Sequence, residues 1–250
     1  MAVEIAEAPD VSAAQAPVAI MFDYDADFAW TVQPHGRGLD YFWLVFDTYR
    51  ALRALGQSID ILPPDTRDFS GYRVVVVPGM MHMPKDLKDA LGDSDARVVV
   101  GPRSGARDGS MRIPTPLPPD LPGLDVTVSR VESLREDMPV ALHGGGAVVG
   151  YREALESTAD VIERTEAGEP VMVGNGSMHY LAGWLDQAGF RRVFSKLCAD
   201  CGLEVMDLPD GVRVRDTGVE RFWFNYDIES HEVAGLTLEP TSVMRVDIGG

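Results

Sequence analysis

Runs of four or five apolar residues, each closed by a polar residue or a glycine, alternate along the chain with stretches in which apolar residues recur every three or four positions. From Pro17 the sequence reads VAIMF and stops at Asp23, the pattern of a short strand buried on both faces of a parallel sheet. A turn region carrying Pro34, Gly36 and Gly38 follows, and LDYFWLVFDTYRALRALG then predicts an amphipathic helix closed by Gly56. SIDIL and RVVVVPG predict strands, a helix runs from near Pro84 to Gly92, and ARVVVGP predicts another strand. Strand and helix in alternation imply an α/β fold: an open, mostly parallel sheet with helices on its faces.

Residues 102–123 break the pattern with prolines at 102, 114, 116, 118, 119 and 122, and read as a long irregular excursion. LDVTVSRVESL, AVVGYREAL, ADVIERT and PVMVGN follow as alternating segments. MHYLAGW predicts a strand running into a last helix, QAGFRRVFSKLCADCG, which ends the α/β part near Gly202. VRVRD, ERFWFNY and LTLEPTSVMRV are short strands punctuated by Gly and Pro, a small antiparallel β module. Residues 1–17 are rich in Ala, Glu and Pro without sustained period and read as a solvated linker. The expected organisation is a linker over 1–17, an α/β domain over 18–202 and a small β domain over 203–250.

Composition narrows the class. At 250 residues, 45% hydrophobic and 24% charged, the chain has the makings of a self-sufficient core. Its 22 basic and 39 acidic residues give a net charge of −17, which argues against nucleic acid and anionic membranes as partners, since both require Lys/Arg-rich faces. The longest aliphatic runs, such as Val74 to Val77, fall far short of the ~20 apolar residues of a membrane span. The N-terminus carries Glu4, Glu7 and Asp10 and no Lys or Arg before Arg37, unlike a secretory signal, so a cytoplasmic location is expected. Two cysteines exclude a disulfide framework.

Several constellations invite a chemical reading. Asp23, Asp25 and Asp27 sit just past the first strand, where open α/β sheets place ligands. The i, i+2 pair resembles the nucleophile and acid of haloacid-dehalogenase-type phosphatases, but Ala26 and Asp27 stand where that family wants Gly or Thr, and the later acidic run at Asp93 and Asp95 precedes its strand. A calcium loop is excluded by Phe28 and Pro34 at the positions of its glycine and glutamate. The bland alternative is acids in a turn and helix-capping region. Ser104 lies at a strand-to-turn corner, yet Gly101-Pro102-Arg103-Ser104-Gly105 does not centre the serine as a nucleophile elbow does, and His179 is the one late histidine able to serve as its base. Cys198 and Cys201 form C-x-x-C at a helix C-terminus, the wrong end for lowering a thiol pKa, and no second ligand pair suggests zinc. Gly144, Gly145 and Gly146 read as a turn rather than a phosphate loop. Of Trp30, Trp43, Trp184 and Trp223, Trp43 fits the buried face of its helix and Trp223 alternates within a strand, so core or interface is expected for both. No catalytic, cofactor or metal residue is assigned.

Taken as whole phrases, APVAIMFDYDADFAWTVQPHGRGLDYFWLVFDTYRALRALGQSIDILPPD, DFSGYRVVVVPGMMHM, VVVGPRSGARDGSMRIPTPLPPDLPGLDVTVSRVESL, MHYLAGWLD and LPDGVRVRDTGVERFWFNYD resemble the C-terminal half of glycoside hydrolase family 42 β-galactosidases. GPRSG, PPDLPG, RVESL and HYLAGWLD are the most specific of these. The resemblance implies a trimerisation domain with a fold like class I glutamine amidotransferases (flavodoxin-like), then a small C-terminal β domain. It also implies retaining β-galactoside hydrolysis by two glutamates of a (β/α)8 barrel elsewhere in the family. Such a barrel takes ~250 residues by itself, and neither glutamate has a matching position here. The amidotransferase cysteine is likewise unmatched.

The expected function is therefore a non-catalytic assembly portion of a β-galactosidase, a homotrimer that supports a catalytic barrel on the same or a separately encoded chain, with no cofactor. Rival expectations are a stand-alone carbohydrate-binding or regulatory module, motivated by Tyr24, Phe28 and Trp30 beside the aspartates, an Asp-dependent phosphatase-like hydrolase using Asp23 and Asp25, and a gene remnant.

Overall fold

The computed structural model describes residues 14–36 and 38–248. Most of the expected linker, residues 1–13, lies outside the described residues. Three short, wholly or largely buried runs, β1 (Val18–Met21), β3 (Val74–Val77) and β4 (Arg97–Val100), lie inside the main sheet, and the half-exposed β2 (Ile59–Leu62) forms its edge. They align parallel in the order β2-β1-β3-β4, and β11 (Met178–Leu181) extends them in parallel beside β4. β10 (Pro170–Asn175) and β9 (Asp160–Arg164) then add antiparallel, for seven strands. The sheet is open and mostly parallel, as expected.

Alternation within the strands sends Val18, Ile20, Val74, Val76 and Val99 to one side and Ala19, Met21, Val75, Val77 and Val98 to the other. On the first side lie α1 (Tyr24–Val32), α2 (Tyr41–Ala54) and α4 (Gln187–Asp200), and on the second lies α3 (Lys85–Gly92). Aspartates start three of these helices: the side chains of Asp23, Asp40 and Asp186 accept from the backbone N–H of Asp25, Trp43 and Gly189. Each satisfies a donor that the first helical turn leaves open.

The chain passes from β2 to β3 without a helix, through turns over 63–73, in the order of segments read from the sequence. Two features differ from that reading. Residues 24–32 form a helix rather than a turn. Of the alternating segments, ADVIERT and PVMVGN become β9 and β10 of the first sheet, whereas LDVTVSRVESL and AVVGYREAL go into a second, antiparallel sheet made of β5 (Pro119–Leu121), β6 (Leu124–Ser133), β7 (Val140–Ala141), β8 (Ala147–Ser157) and β12 (Gly183–Leu185), in the order β12-β8-β6-β5 with β7 on β8. MHYLAGW is thus two strands, β11 in one sheet and β12 in the other. Leu121, Leu124 and Val126 of the second sheet close the α3 side of the core.

The expected β module is present as β13 (Val212–Asp216), β14 (Glu220–Asn225) and β17 (Val243–Asp247), paired antiparallel, with β15 (His231–Val233) and β16 (Leu236–Leu238) as a separate hairpin. Leu208, Val212, Val214, Trp223, Val233 and Leu238 give it its own small core. It is tied to the end of α2 by Met206 N–H to Leu55 O (3.1 Å), Leu208 N–H to Ala54 O (2.9 Å) and Arg53 Nη2 to Val214 O (2.8 Å). Among the described residues no helix is long and apolar enough to cross a membrane.

Candidate functional site

Two places stand out, a helix surface and a strand-end cavity. In α1, Ala26 and Trp30 turn to the core, which puts Tyr24, Phe28 and Val32, spaced by four, on the outer face at 74%, 69% and 74% exposure. In α2 the inward stripe is Tyr41, Leu44, Val45, Thr48, Ala51 and Leu52. Phe42 and Trp43 lie outside it and are about half exposed, at 49% and 53%. Trp43 is therefore not buried as its helix pattern suggested. The run from Tyr41 to Phe46 is apolar all round the helix, so it cannot by itself say which face turns inward. Phe42 stacks on Phe46 at 6.0 Å, Trp43 meets Phe46 edge-on at 5.6 Å, and Phe22 touches both Tyr24 and Tyr41 at the heads of the two helices. Grouped exposed aromatics of this kind mark contact surfaces, where scattered single ones do not.

The cavity lies beyond the carboxyl end of β4 and has a volume of about 430 Å³. Arg103, the centre of GPRSG, has a left-handed backbone (φ 65°) that only a few per cent of non-glycine residues adopt. The turn closes tightly: a Cβ on Gly105 would come within 2.9 Å of Pro119 O. The Arg103 guanidinium lies over the Trp30 ring at 4.3 Å and donates through Nη2 to Gln33 O (2.7 Å). Arg107 Nε donates to the same residue's side chain, Gln33 Oε1 (2.6 Å), so one glutamine holds two guanidinium groups. Behind them Glu153, buried on β8, accepts from Arg103 N–H (2.9 Å), Tyr151 Oη (2.8 Å) and Tyr180 Oη (2.6 Å). Burial raises the Glu153 carboxyl above its ordinary pKa, against the opposing effect of these donors. Burial, then the charges of Arg103 and Arg107, lower that of His35 at the cavity wall.

The residues singled out from sequence are mostly kept apart. Asp23 caps α1, and burial raises its pKa; Asp25 is exposed. The neighbouring hollow of about 310 Å³ is lined by Asp23, Asp25, His82 and Asp108 and by no Lys or Arg that could hold a phosphate. Ser104 is fully buried and donates to Val77 O (3.2 Å), whereas His179 Nε2 faces Arg97 at the start of β4 (3.5 Å), so the two do not meet. Cys198 is buried, which pushes its thiol pKa up to about 12, and Cys201 caps α4; both are free. The three glycines form the β7–β8 turn, and Gly146 (φ 79°) passes so close to α4 that a Cβ would lie 2.4 Å from Gly189 N. Trp30 is buried, donating to Gly79 O (2.8 Å), and so is closed to sugar stacking; Trp223 is buried as expected. No cluster of three or more His, Cys, Asp or Glu able to hold a metal occurs among the described residues. The sequence reading missed Arg103 and Glu153, although the glycine spacing of GPRSG, centred on the arginine, was the available signal.

Known proteins place this arrangement. The family profile described as the β-galactosidase trimerisation domain matches residues 16–204. A β-galactosidase of Thermus thermophilus is 36% identical over 224 residues, 88% of this chain and 35% of the relative. The structure of a β-galactosidase from the psychrophilic Marinomonas ef1 superposes with a TM-score of 0.84 at 30% identity, covering 98% of this chain and 39% of that one. That of a polyextremophilic β-galactosidase from the Antarctic haloarchaeon Halorubrum lacusprofundi gives 0.85 at 28%, covering 98% and 41%. This chain thus spans well under half the length of the relatives it matches. With the profile matched over residues 16–204 and the fold superposing closely on these structures, the chain belongs to the glycoside hydrolase family 42 β-galactosidases through their trimerisation domain.

Proposed function

We propose that this chain serves as the non-catalytic assembly portion of a β-galactosidase, a homotrimer whose copies meet through the aromatic face of α1 and α2 and which supports a catalytic barrel on the same or another polypeptide. In this reading residues 18–202 are the trimerisation domain, 203–250 a small β domain with its own core, and 1–17 a linker. The observation that carries it is the outward set Tyr24, Phe28, Phe42 and Trp43, half or more exposed in one copy of a chain whose family profile is that of a trimerisation domain. A closed ring of three takes a heterologous contact, for which the α1 part of the face on one copy and the α2 part on the next supply the two surfaces.

Light scattering on a sizing column tests it. The expected mass is roughly three times the 27.2 kDa of one chain, about 82 kDa, with no hydrolysis of a chromogenic β-galactoside across the peak. Phe28→Glu with Trp43→Glu should run as a monomer with unchanged circular dichroism. A wild-type monomer, or a double variant that still assembles, removes the reading; turnover co-eluting with the protein removes its non-catalytic part.

A further inference from the structure

Among the described residues three buried guanidinium nitrogens lack any hydrogen-bond partner: Arg191 Nε, Arg192 Nη2 and Arg103 Nη1. Arg191 and Arg192 are already neutralised by Asp210 (2.7 Å) and Glu163 (2.6 Å). Arg103 is only 4% exposed, and among the described residues its guanidinium has no carboxylate oxygen within ion-pair distance and its Nη1 has no acceptor. A buried cation without a counter-charge is costly unless something supplies one. Glu153 attracts the guanidinium from behind, but its oxygens are taken by the Arg103 backbone N–H and two tyrosine hydroxyls, and none of them accepts from Arg103 Nη1. Arg107 lines the same cavity, and among the described residues its guanidinium donates to Gln33 Oε1 and Ala106 O. In a chain of net charge −17, two arginines held side by side by Gln33 make a local concentration of positive charge, with Glu153 the acid among the residues lining the cavity.

We propose that the cavity beyond β4 binds a small organic oxyanion, a carboxylate or a phosphate ester, with its charge on Arg103 and Arg107 and its body against the apolar wall. Its volume of about 430 Å³ falls in the range of small-molecule sites, roughly 300–1,000 Å³. Pro34, Ile113, Leu117, Val128 and Val131 supply the apolar lining. Arginine is the side chain suited to the task, because its planar fork matches two oxygens of either group. The left-handed turn at Arg103 holds its guanidinium on the Trp30 ring, so the cation is positioned before any ligand arrives. This site is distinct from the aromatic face of α1 and α2 and does not depend on the assembly reading.

Calorimetric titration of the wild-type chain in its native assembly state tests it, using inorganic phosphate, benzoate and, as an uncharged counterpart of benzoate, benzamide. Saturable binding of phosphate or benzoate with Kd about 1 mM or tighter is expected, and benzamide should not bind. Binding of only one anion identifies which oxyanion class fits. Arg103→Met should weaken binding about tenfold or more; should that variant not fold, Arg107→Gln carries the same expectation. No saturable binding of either anion, equal binding by the folded variants, or benzamide binding as tight as benzoate overturns the proposal.

Discussion

At Glu153 three donors converge on one carboxyl that burial holds away from water. Because its native pKa stands above its unfolded one, the folded state binds the proton more tightly. Its contribution to stability is complete below the unfolded pKa and is lost as pH rises through the native value. Glu153→Gln keeps a neutral group at every pH. Its stability relative to wild type should therefore rise with pH above 4.5, by up to about 1.4 kcal/mol per pH unit until the native carboxyl ionises; denaturant titrations from pH 4 to 8 check this, and a pH-independent difference refutes it. Cys198 offers a second residue-level test. With its thiol pushed up to about 12, it stays protonated and buried at pH 8, so a disulfide reagent should label at most one thiol per native chain, at Cys201, and both after unfolding. Two equally fast thiols in native protein would contradict that. These residues were unequally legible in sequence. C-x-x-C at a helix end gave its own position away, whereas Glu153 reads like any acid on an alternating strand until the fold brings Tyr180 and Arg103 to it.

Among the elements, the parallel strands were readable because a strand buried on both faces must be apolar throughout, as VAIM and VVVV are. α1 was not, because YDADFAWTV mixes outward aromatics with acids and shows no inward stripe beyond Ala26 and Trp30. The same inversion explains Trp43: when a helix carries large apolar groups for a partner, its pattern no longer says which side is the core. Charges placed on this outward face should spare the fold. Phe28→Glu and Trp43→Glu should each shift the stability of the dissociated chain by no more than about 0.5 kcal/mol, measured by urea unfolding at dilute concentration; losses of several kcal/mol would mean these rings belong to the monomer core. The second sheet escaped the sequence reading for another reason. Its strands alternate like any half-covered antiparallel strand, and nothing local says that they pair with each other rather than extend the first sheet.

For the molecule as a whole, charge and contact surface oppose one another. Copies carrying −17 each repel, while the face proposed to join them is aromatic. Salt screens the repulsion beyond about 10 Å at 0.1 M and leaves apolar burial in place. Assembly should therefore tighten as sodium chloride rises from about 0.02 to 0.5 M, seen as a fall in the concentration at which the sizing-column mass drops; weakening with salt would point to a contact made by ion pairs. The family was legible from extended phrases such as GPRSG and HYLAGWLD, and the α/β plan from periodicity, but the two-sheet arrangement was not. That arrangement bears on how the chain is made. β4 and β11 are neighbours, with Val98 beside Met178, yet residues 101–177 lie between the two strands. During synthesis β1, β3 and β4 can pair early, but the free edge of β4 must wait for the whole antiparallel insert to leave the ribosome before β11 covers it. Over that interval an exposed, apolar valine edge is open to the wrong strand, and the slow, long-range closure of β11 onto β4 is the step at which a chaperone would matter most.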